Sequence, residues 1–345
     1  MDARGFAFPL NVYAHMLALE EGRVDALHYG LFEREDEPVG QAQERASARL
    51  WAALPPPCRT LEVGIGLGTT LQRLQAAGYA VVGLTPDAAQ VGEARARHGQ
   101  GLDLRVSTLE AFDGRGGPWE LMLFQESAQY IAPLDLFEAA DRVLAPAGAQ
   151  IVVMDEFALQ RRDAGDTGLH DLAAFKALAR RLGWNLVHEE DLSGTAAGTV
   201  AAIARLVRRH RQALRNDLAL DDGSLQGLLD ACARYAELYA SGVYGYRLLR
   251  LQRPRRPARR LASVRAAQAP AVRTLLQQTF DVPMSQAVWD WKYGEGRGRA
   301  VALWEGEALL AHYGGMTRRV RIDGRSELAC QVGDVMVSAR ANAGL

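Results

Sequence analysis

Thr60-Leu61-Glu62-Val63-Gly64-Ile65-Gly66-Leu67-Gly68-Thr69-Thr70 decides the fold: an apolar strand carrying an acid runs straight into three alternating glycines. Glycine lacks the Cβ that would collide with a ligand and tolerates the tight turn from strand to helix, so such a loop brings a polar cofactor against bare backbone. The reading is a nucleotide-type site. A dinucleotide loop wants glycine at its first, third and sixth positions, but the sixth here is Thr69, and the glycines alternate at Gly64, Gly66 and Gly68 instead. Glycine-rich strand-to-helix turns also arise for structural reasons alone, so the order of the flanking segments carries the argument.

Outward from the loop, a helix from Thr70 to Ala77 leads to an apolar strand, Tyr79 to Leu84, which ends at Thr85-Pro86-Asp87-Ala88-Ala89-Gln90. A third strand, Leu102 to Val106, ends at Ser107-Thr108-Leu109-Glu110. The fourth, Trp119 to Phe124, runs into Gln125-Glu126-Ser127-Ala128-Gln129-Tyr130-Ile131, before a helix, a turn at Asp141 to Gly148 and a strand from Gln150 to Met154. This alternation over residues 41–157 predicts an α/β, doubly wound parallel sheet with its ligand site at the carboxyl ends of the strands.

The glycine spacing and this succession resemble the class I S-adenosylmethionine (SAM) methyltransferases. The small-molecule branch, with cyclopropane fatty acid synthases and tocopherol-type enzymes, is the most similar, because it too has Thr or Asn at the second strand tip and a Gln shortly after. The resemblance implies SAM as cofactor, held at the loop by Glu62, Gly64, Ile65, Gly66 and Gly68. It places Thr85, Pro86 and Gln90 at the ribose, where the side-chain amide of Gln90 supplies the hydrogen bonds of a missing carboxylate. An ordinary turn with Thr85 as N-cap and Pro86 at the first helical position is the alternative. Thr108, Leu109 and Glu110 fall at the adenine, with Ser107 where the family usually has Asp, and Gln125 joins the cofactor set from the fourth strand. The turn at Arg142 to Gly148 resembles the family's "RVLKPGG", with Ala147 in the first glycine's place. Leu27 to Glu33 resembles its "HHGYW" cap, which assigns Tyr29 to the sulfonium as a cation-π partner. The alternative is that Tyr29 and Phe32 only fasten the N-terminal helix.

Methyl transfer needs an in-line approach to an already activated carbon, so positioning and water exclusion supply much of the catalysis without a conspicuous acid-base motif. Glu126, Gln129 and Tyr130 fall near the transferred methyl group. Glu126 is the candidate to deprotonate or orient the acceptor and Tyr130 to shape the pocket; the alternative makes Glu126 a helix cap and Tyr130 a packing residue. His28 and His170 are further candidates, although a lone His is more often a packing residue.

At 345 residues and 48% hydrophobic the chain exceeds one typical domain. Its 40 basic and 41 acidic residues give a net charge of -1, so nothing draws it to nucleic acid or an anionic membrane. Cys58, Cys232 and Cys330 are odd in number and far apart, which predicts neither disulfides nor a zinc site. With no signal-like N-terminus and no run of about twenty apolar residues, the expectation is a cytoplasmic protein.

The domain organisation expected is a cap over residues 1–40, a methyltransferase domain over 41–251 with a helical acceptor region at 158–240, a linker over 252–260 and a smaller domain over 261–345. Asp171 to Leu182, Ala197 to Leu214 and Gly227 to Tyr239 show helical spacing, a short strand follows Gly183, and Ser241 to Leu251 reads as the last strand of the sheet. Prolines and clustered arginines make Gln252 to Arg260 extended. Beyond it lie a strand at Leu261 to Ala266, a helix near Pro270 to Phe280, and apolar runs at Ala300 to Trp304, Ala308 to Met316 and Cys330 to Val337, with a hairpin turn at Glu305-Gly306-Glu307.

"WDWKYGEGRGRAVALWEGEALLAHYGGM" and "GDVMV" resemble the N-terminal half of the GNAT acetyltransferase fold. In that superfamily a loop after the strand matching Gly333 to Val337 holds the coenzyme A pyrophosphate. Arg340 to Gly344 does not complete its glycine pattern and the chain stops at Leu345, so the expectation is a partial module without acetyl transfer. The chain as a whole reads as a SAM-dependent methyltransferase with a small-molecule acceptor. A non-catalytic SAM-binding or scaffold protein is the alternative, since Thr85 and Ser107 replace customary contacts.

Overall fold

A computed structural model describes residues 5–160, 168–254 and 259–342. The chain forms two compact units, residues 1–178 with 186–252, and residues 179–185 with 253–345. The centre of the arginine-proline stretch, residues 255–258, and the end of the Arg340 to Gly344 segment lie outside the described residues.

In the first unit α1 (Leu10–Glu21) and α2 (Val39–Ala53) precede an alternation of strand and helix: β1 (Arg59–Val63), α3 (Thr69–Ala76), β2 (Ala80–Thr85), α4 (Ala88–His98), β3 (Leu104–Val106), β4 (Leu121–Gln125), α5 (Pro133–Val143) and β5 (Gln150–Ala158). Then come α6 (Leu172–Arg181), β6 (Asn185–Asp191), α7 (Ser193–Ala196), α8 (Gly198–Leu218), α9 (Asp222–Ala240) and β7 (Tyr244–Gln252). The strands order as β3-β2-β1-β4-β5-β7-β6. β1 pairs in parallel with both β2 and β4, and β4 with β5, because helical crossovers return the chain to the same end of the sheet each time. Residues 60–63 are all buried, as a strand covered on both faces requires.

The parallel sheet expected from sequence needs one correction, because β7 runs antiparallel to β5, from Ala158↔Tyr244 to Gln150↔Gln252. The reason lies in the helices before it. β6 ends where β7 begins: Leu192 N donates to Tyr246 O (3.0 Å) and Tyr246 N donates to Ser193 Oγ (3.0 Å). The chain thus leaves the sheet after β6, passes through α7, α8 and α9, and re-enters as β7 between β5 and the edge strand β6, running back along β5. A second correction concerns Thr85, which is not the N-cap of α4. Asp87 is, its side chain accepting from Ala89 N at 2.7 Å.

The second unit holds a sheet ordered β11-β10-β9-β8, built from β8 (Arg259–Ser263), β9 (Gly298–Glu305), β10 (Ala308–Ile322) and β11 (Arg325–Val337). Its pairings are antiparallel, and Glu305 pairs with Ala308 around the expected hairpin turn. Between β8 and β9 lie α10 (Ala269–Phe280) and α11 (Gln286–Tyr293), the latter not anticipated from sequence although Ser285 caps it by accepting from Val288 N. Val272, Leu275, Trp289 and Met336 form a core. β10 and β11 run well past the apolar segments that announce them, joined by Asp323 and Gly324, both at positive φ. The arginine-rich linker is shorter than expected, since Gln252 still belongs to β7 and Arg259 already to β8.

Candidate active site

The chain turns from one side of the sheet to the other between β1 and β4, and a cavity of about 750 Å³ opens at the carboxyl ends of these strands. That is where an open α/β sheet leaves a crevice, because the crossovers diverge on either side of it.

At the loop end of the cavity the three glycines adopt positive φ, for different reasons. A Cβ on Gly64 would stand 2.4 Å from Ser127 Cβ, and one on Gly68 2.8 Å from Ala94 Cβ, so both are demanded by packing. Gly66 meets nothing within 4 Å: its open side is the cavity itself. Ile65 is buried behind the loop. Ser127 pins the loop by donating its hydroxyl to Val63 O.

Two buried polar atoms on this wall have no protein partner. Glu62 is 2% exposed and its Oε2 makes no hydrogen bond; burial pushes its carboxyl up to about 8. Gln125 accepts from Thr70 Oγ1 through Oε1 at 3.0 Å, which leaves its Nε2 buried and unpartnered. Orphaned buried groups are expensive unless something satisfies them. One acceptor and one donor facing the same space match the ammonium and carboxylate of an amino acid, so the residues fit the methionyl part of SAM.

Gln90 faces the cavity with its Oε1 accepting from Thr85 Oγ1 at 2.9 Å, which turns the other end of the amide outward as a donor. Thr85 itself is buried and also accepts from Asp87 N (3.2 Å), so it orients Gln90, while Pro86 lines the cavity beside it. Thr108, Leu109 and Glu110 form a turn on the cavity wall in which Leu109 is buried and Glu110 exposed. Arg142 holds this turn by donating to the carbonyls of Leu109, Glu110 and Phe112 at 3.0, 3.2 and 3.1 Å. No sequence signal singled out Arg142 for this duty.

At the far end the cavity meets side chains from remote segments. Glu126, in the left-handed region at φ 57, accepts through Oε1 from Tyr29 N (2.6 Å) and the Tyr246 hydroxyl (2.5 Å). It caps no helix. Burial, and then the like charges of Asp155 and Glu156, hold its carboxyl well above the usual range. Glu156 accepts from the Tyr239 hydroxyl at 2.7 Å, and burial pushes it up to about 7. Asp155 lies fully buried beside it, accepting from Gln129 N (3.1 Å) and Glu156 N (2.9 Å), and is likewise pushed up to about 7. The Tyr29 ring stacks on Tyr246, centroids 5.8 Å apart and planes 2° from parallel, so one of its faces is already covered.

Other candidates take different places. Tyr130 stands 81% exposed at the rim, so it borders the cavity without being packed into it. The half-buried imidazole of His28 bonds Tyr29 O at 2.8 Å and Ser47 Oγ at 3.2 Å, and His170 Nε2 lies 3.1 and 2.9 Å from the carbonyls of Ala128 and Ile131, which makes both structural. Tyr246, Tyr239 and Glu156 were not singled out from sequence, although Tyr246 falls within Ser241 to Leu251, read as the last strand. Among the described residues no His/Cys/Asp/Glu cluster can hold a metal ion, and no helix is long and apolar enough to cross a membrane.

Residues 61–152 match the family described as "Methyltransferase domain". Over 98 residues, 27% of this chain and 39% of the relative, the sequence is 31% identical to a ubiquinone biosynthesis O-methyltransferase of Chelativorans sp. (strain BNC1). The chain therefore spans less than half the length of the curated relative it matches. Among solved structures it is similar to a putative sarcosine dimethylglycine methyltransferase from Galdieria sulphuraria, with TM-score 0.62 and 12% identity over 74% of this chain and 99% of that one. It is also similar to a mycolic acid cyclopropane synthase in complex with SAH and CTAB, with TM-score 0.57 and 17% identity over 73% of this chain and 93% of that one. At such identities the likeness speaks to fold: residues 61–152 carry a methyltransferase domain on a Rossmann-like α/β sheet.

Proposed function

We propose that the chain is a SAM-dependent methyltransferase acting on a small-molecule acceptor. The observation that carries this is the pair of unpartnered buried groups, Glu62 Oε2 and Gln125 Nε2, on the wall of a cavity into which Gly66 presents bare backbone. When bound, SAM supplies a methyl group on a sulfonium, ready for direct displacement. Glu62 accepts from the amino group, Gln125 donates to the carboxylate, Gln90 donates to the ribose, and the turn held by Arg142 receives the adenine. Ionised Glu126 takes up the acceptor's proton, and Tyr246 and the Tyr29 amide fix its carboxylate in place. The N-terminal segment and α8 exclude water where Tyr29, Val200 and Ile203 line the cavity, and Gly30 N, donating to Thr199 Oγ1 at 3.0 Å, ties the two segments together.

Titration with S-adenosylhomocysteine (SAH) followed by SAM turnover against an acceptor panel tests the reading. Binding and SAH release are expected. Binding without turnover on any acceptor points to the scaffold alternative, and no binding defeats both. For the second unit we propose a sheet of the GNAT type, supported by the order β8, α10, α11 and then the antiparallel β9 to β11. Three cysteines without disulfide partners favour the cytoplasm.

A further inference from the structure

The far end of the cavity has a chemistry that the methyltransferase reading does not require. Glu126 and Glu156 face it with Asp155 buried behind them, and their hydrogen-bond partners are tyrosine hydroxyls and backbone amides rather than cations. No Lys or Arg is among the described residues lining the cavity, and the imidazole of its only His, His28, is taken by Tyr29 O and Ser47 Oγ. Rings fill the spaces between the carboxylates: Tyr13, Tyr29 and Tyr235 all line the cavity. Glu62, buried on the same cavity with Oε2 unpartnered, belongs to the loop end, where the unpartnered donor Gln125 Nε2 also lies, so the purely acidic lining is confined to the far end.

We infer that the acceptor is an amine, recognised as its ammonium ion by Glu126 and Glu156 inside a wall of tyrosine rings. The inference rests on the methyltransferase reading and adds the substrate class. A carboxylate or phosphate acceptor would bring a negative charge to a cavity with no basic side chain to receive it, at the cost of burying like charges together. A neutral alcohol brings no charge to hold ionised the carboxyls that burial favours in their protonated form. An ammonium satisfies them, and its alkyl groups lie against aromatic faces, where a desolvated cation gains from the ring quadrupole. The amine then becomes nucleophilic by one proton transfer: an N–H bond breaks, its electron pair stays on nitrogen as the lone pair, and the proton passes to the Glu126 carboxylate.

Three probes that share a ring and differ in charge test this by calorimetry on the full chain saturated with SAH: benzyltrimethylammonium, benzyl alcohol and phenylacetate. The cation is expected to bind at least about tenfold more tightly than the alcohol, and phenylacetate more weakly than either. In Glu156→Gln, where the amide oxygen still accepts from Tyr239, the preference for the cation over the alcohol should shrink to within about threefold. An unchanged preference in that variant, or equal binding of the three probes to the unaltered chain, overturns the inference. Should Glu156→Gln not fold, Glu126→Gln is read in the same way. SAH binding is measured first, so its loss defeats the methyltransferase reading, whereas SAH binding without cation preference defeats the amine alone.

Discussion

The two ends of the cavity are built in opposite ways. At the loop end one continuous segment, Glu62 to Thr70, supplies most of the wall through its backbone, and Gly66 matters for what it lacks. At the far end no segment contributes much. Tyr29, Glu126, Glu156, Tyr239 and Tyr246 come from the N-terminal segment, the end of β4, β5, α9 and β7. A backbone site tolerates little change at few positions, whereas a site of converging side chains can alter its specificity one residue at a time. The first suits a fixed cofactor and the second a variable acceptor.

The two ends should differ most visibly in proton linkage. Glu62 has a folded-state carboxyl at about 8 and no partner for Oε2, whereas Glu156, at about 7, accepts from the Tyr239 hydroxyl. For an acid raised on folding, the folded state holds the proton longer than the unfolded one, so stability is fullest below the unfolded pKa and declines as pH rises toward the folded value. The ligand-free chain should therefore lose stability between about pH 5 and pH 8. Glu62→Gln should recover roughly 2 kcal/mol at pH 8, a rise of about 5 °C in the melting temperature, and Glu156→Gln less. A flat pH profile, or a larger gain at Glu156, would erase the distinction between the ends.

Affinity separates the ends further. Gly66→Val puts a branched side chain into the open side of the loop at φ 51, so SAH binding measured by calorimetry should fall at least about tenfold, roughly 1.4 kcal/mol. Unchanged affinity would sink the cofactor assignment. Gln90→Ala should weaken SAH by about 1 kcal/mol. Because Thr85 Oγ1 donates to Gln90, the same substitution leaves a buried hydroxyl without that acceptor and should also lower the melting temperature slightly. Stability loss without affinity loss would make Gln90 structural.

The same contrast explains what could be read from sequence. The strand, acid and glycines of the loop are neighbours in the chain, and helical or alternating periodicity is likewise local, so the order β1 to β5 was legible. The far end was legible only at Glu126 and Tyr29, because hydrogen bonds such as Tyr246 to Glu126 depend on which strand inserts where. β7 reads as a strand within Ser241 to Leu251, but nothing in those residues announces that it lies antiparallel between β5 and β6. β10 and β11 were read short for a different reason: Thr317 to Arg321, apart from Val320, and Arg325 to Glu327 are polar, so apolar periodicity stops before the pairing does. The Asp323-Gly324 pair was the missed signal, a dipeptide suited to a tight hairpin with both residues at positive φ.

The late insertion of β7 also sets an order of events during synthesis. The glycine loop, its helix and the first five strands are complete once Ala158 has emerged, but Glu126 gains its tyrosine hydroxyl only from a residue 120 positions later. Closing so long a segment costs little more entropy than closing one half as long. The delay is one of time, not of free energy. A nascent chain therefore has the residues of the cavity's loop end well before those of its far end, and Glu126 waits for its tyrosine partner until the last strand is made.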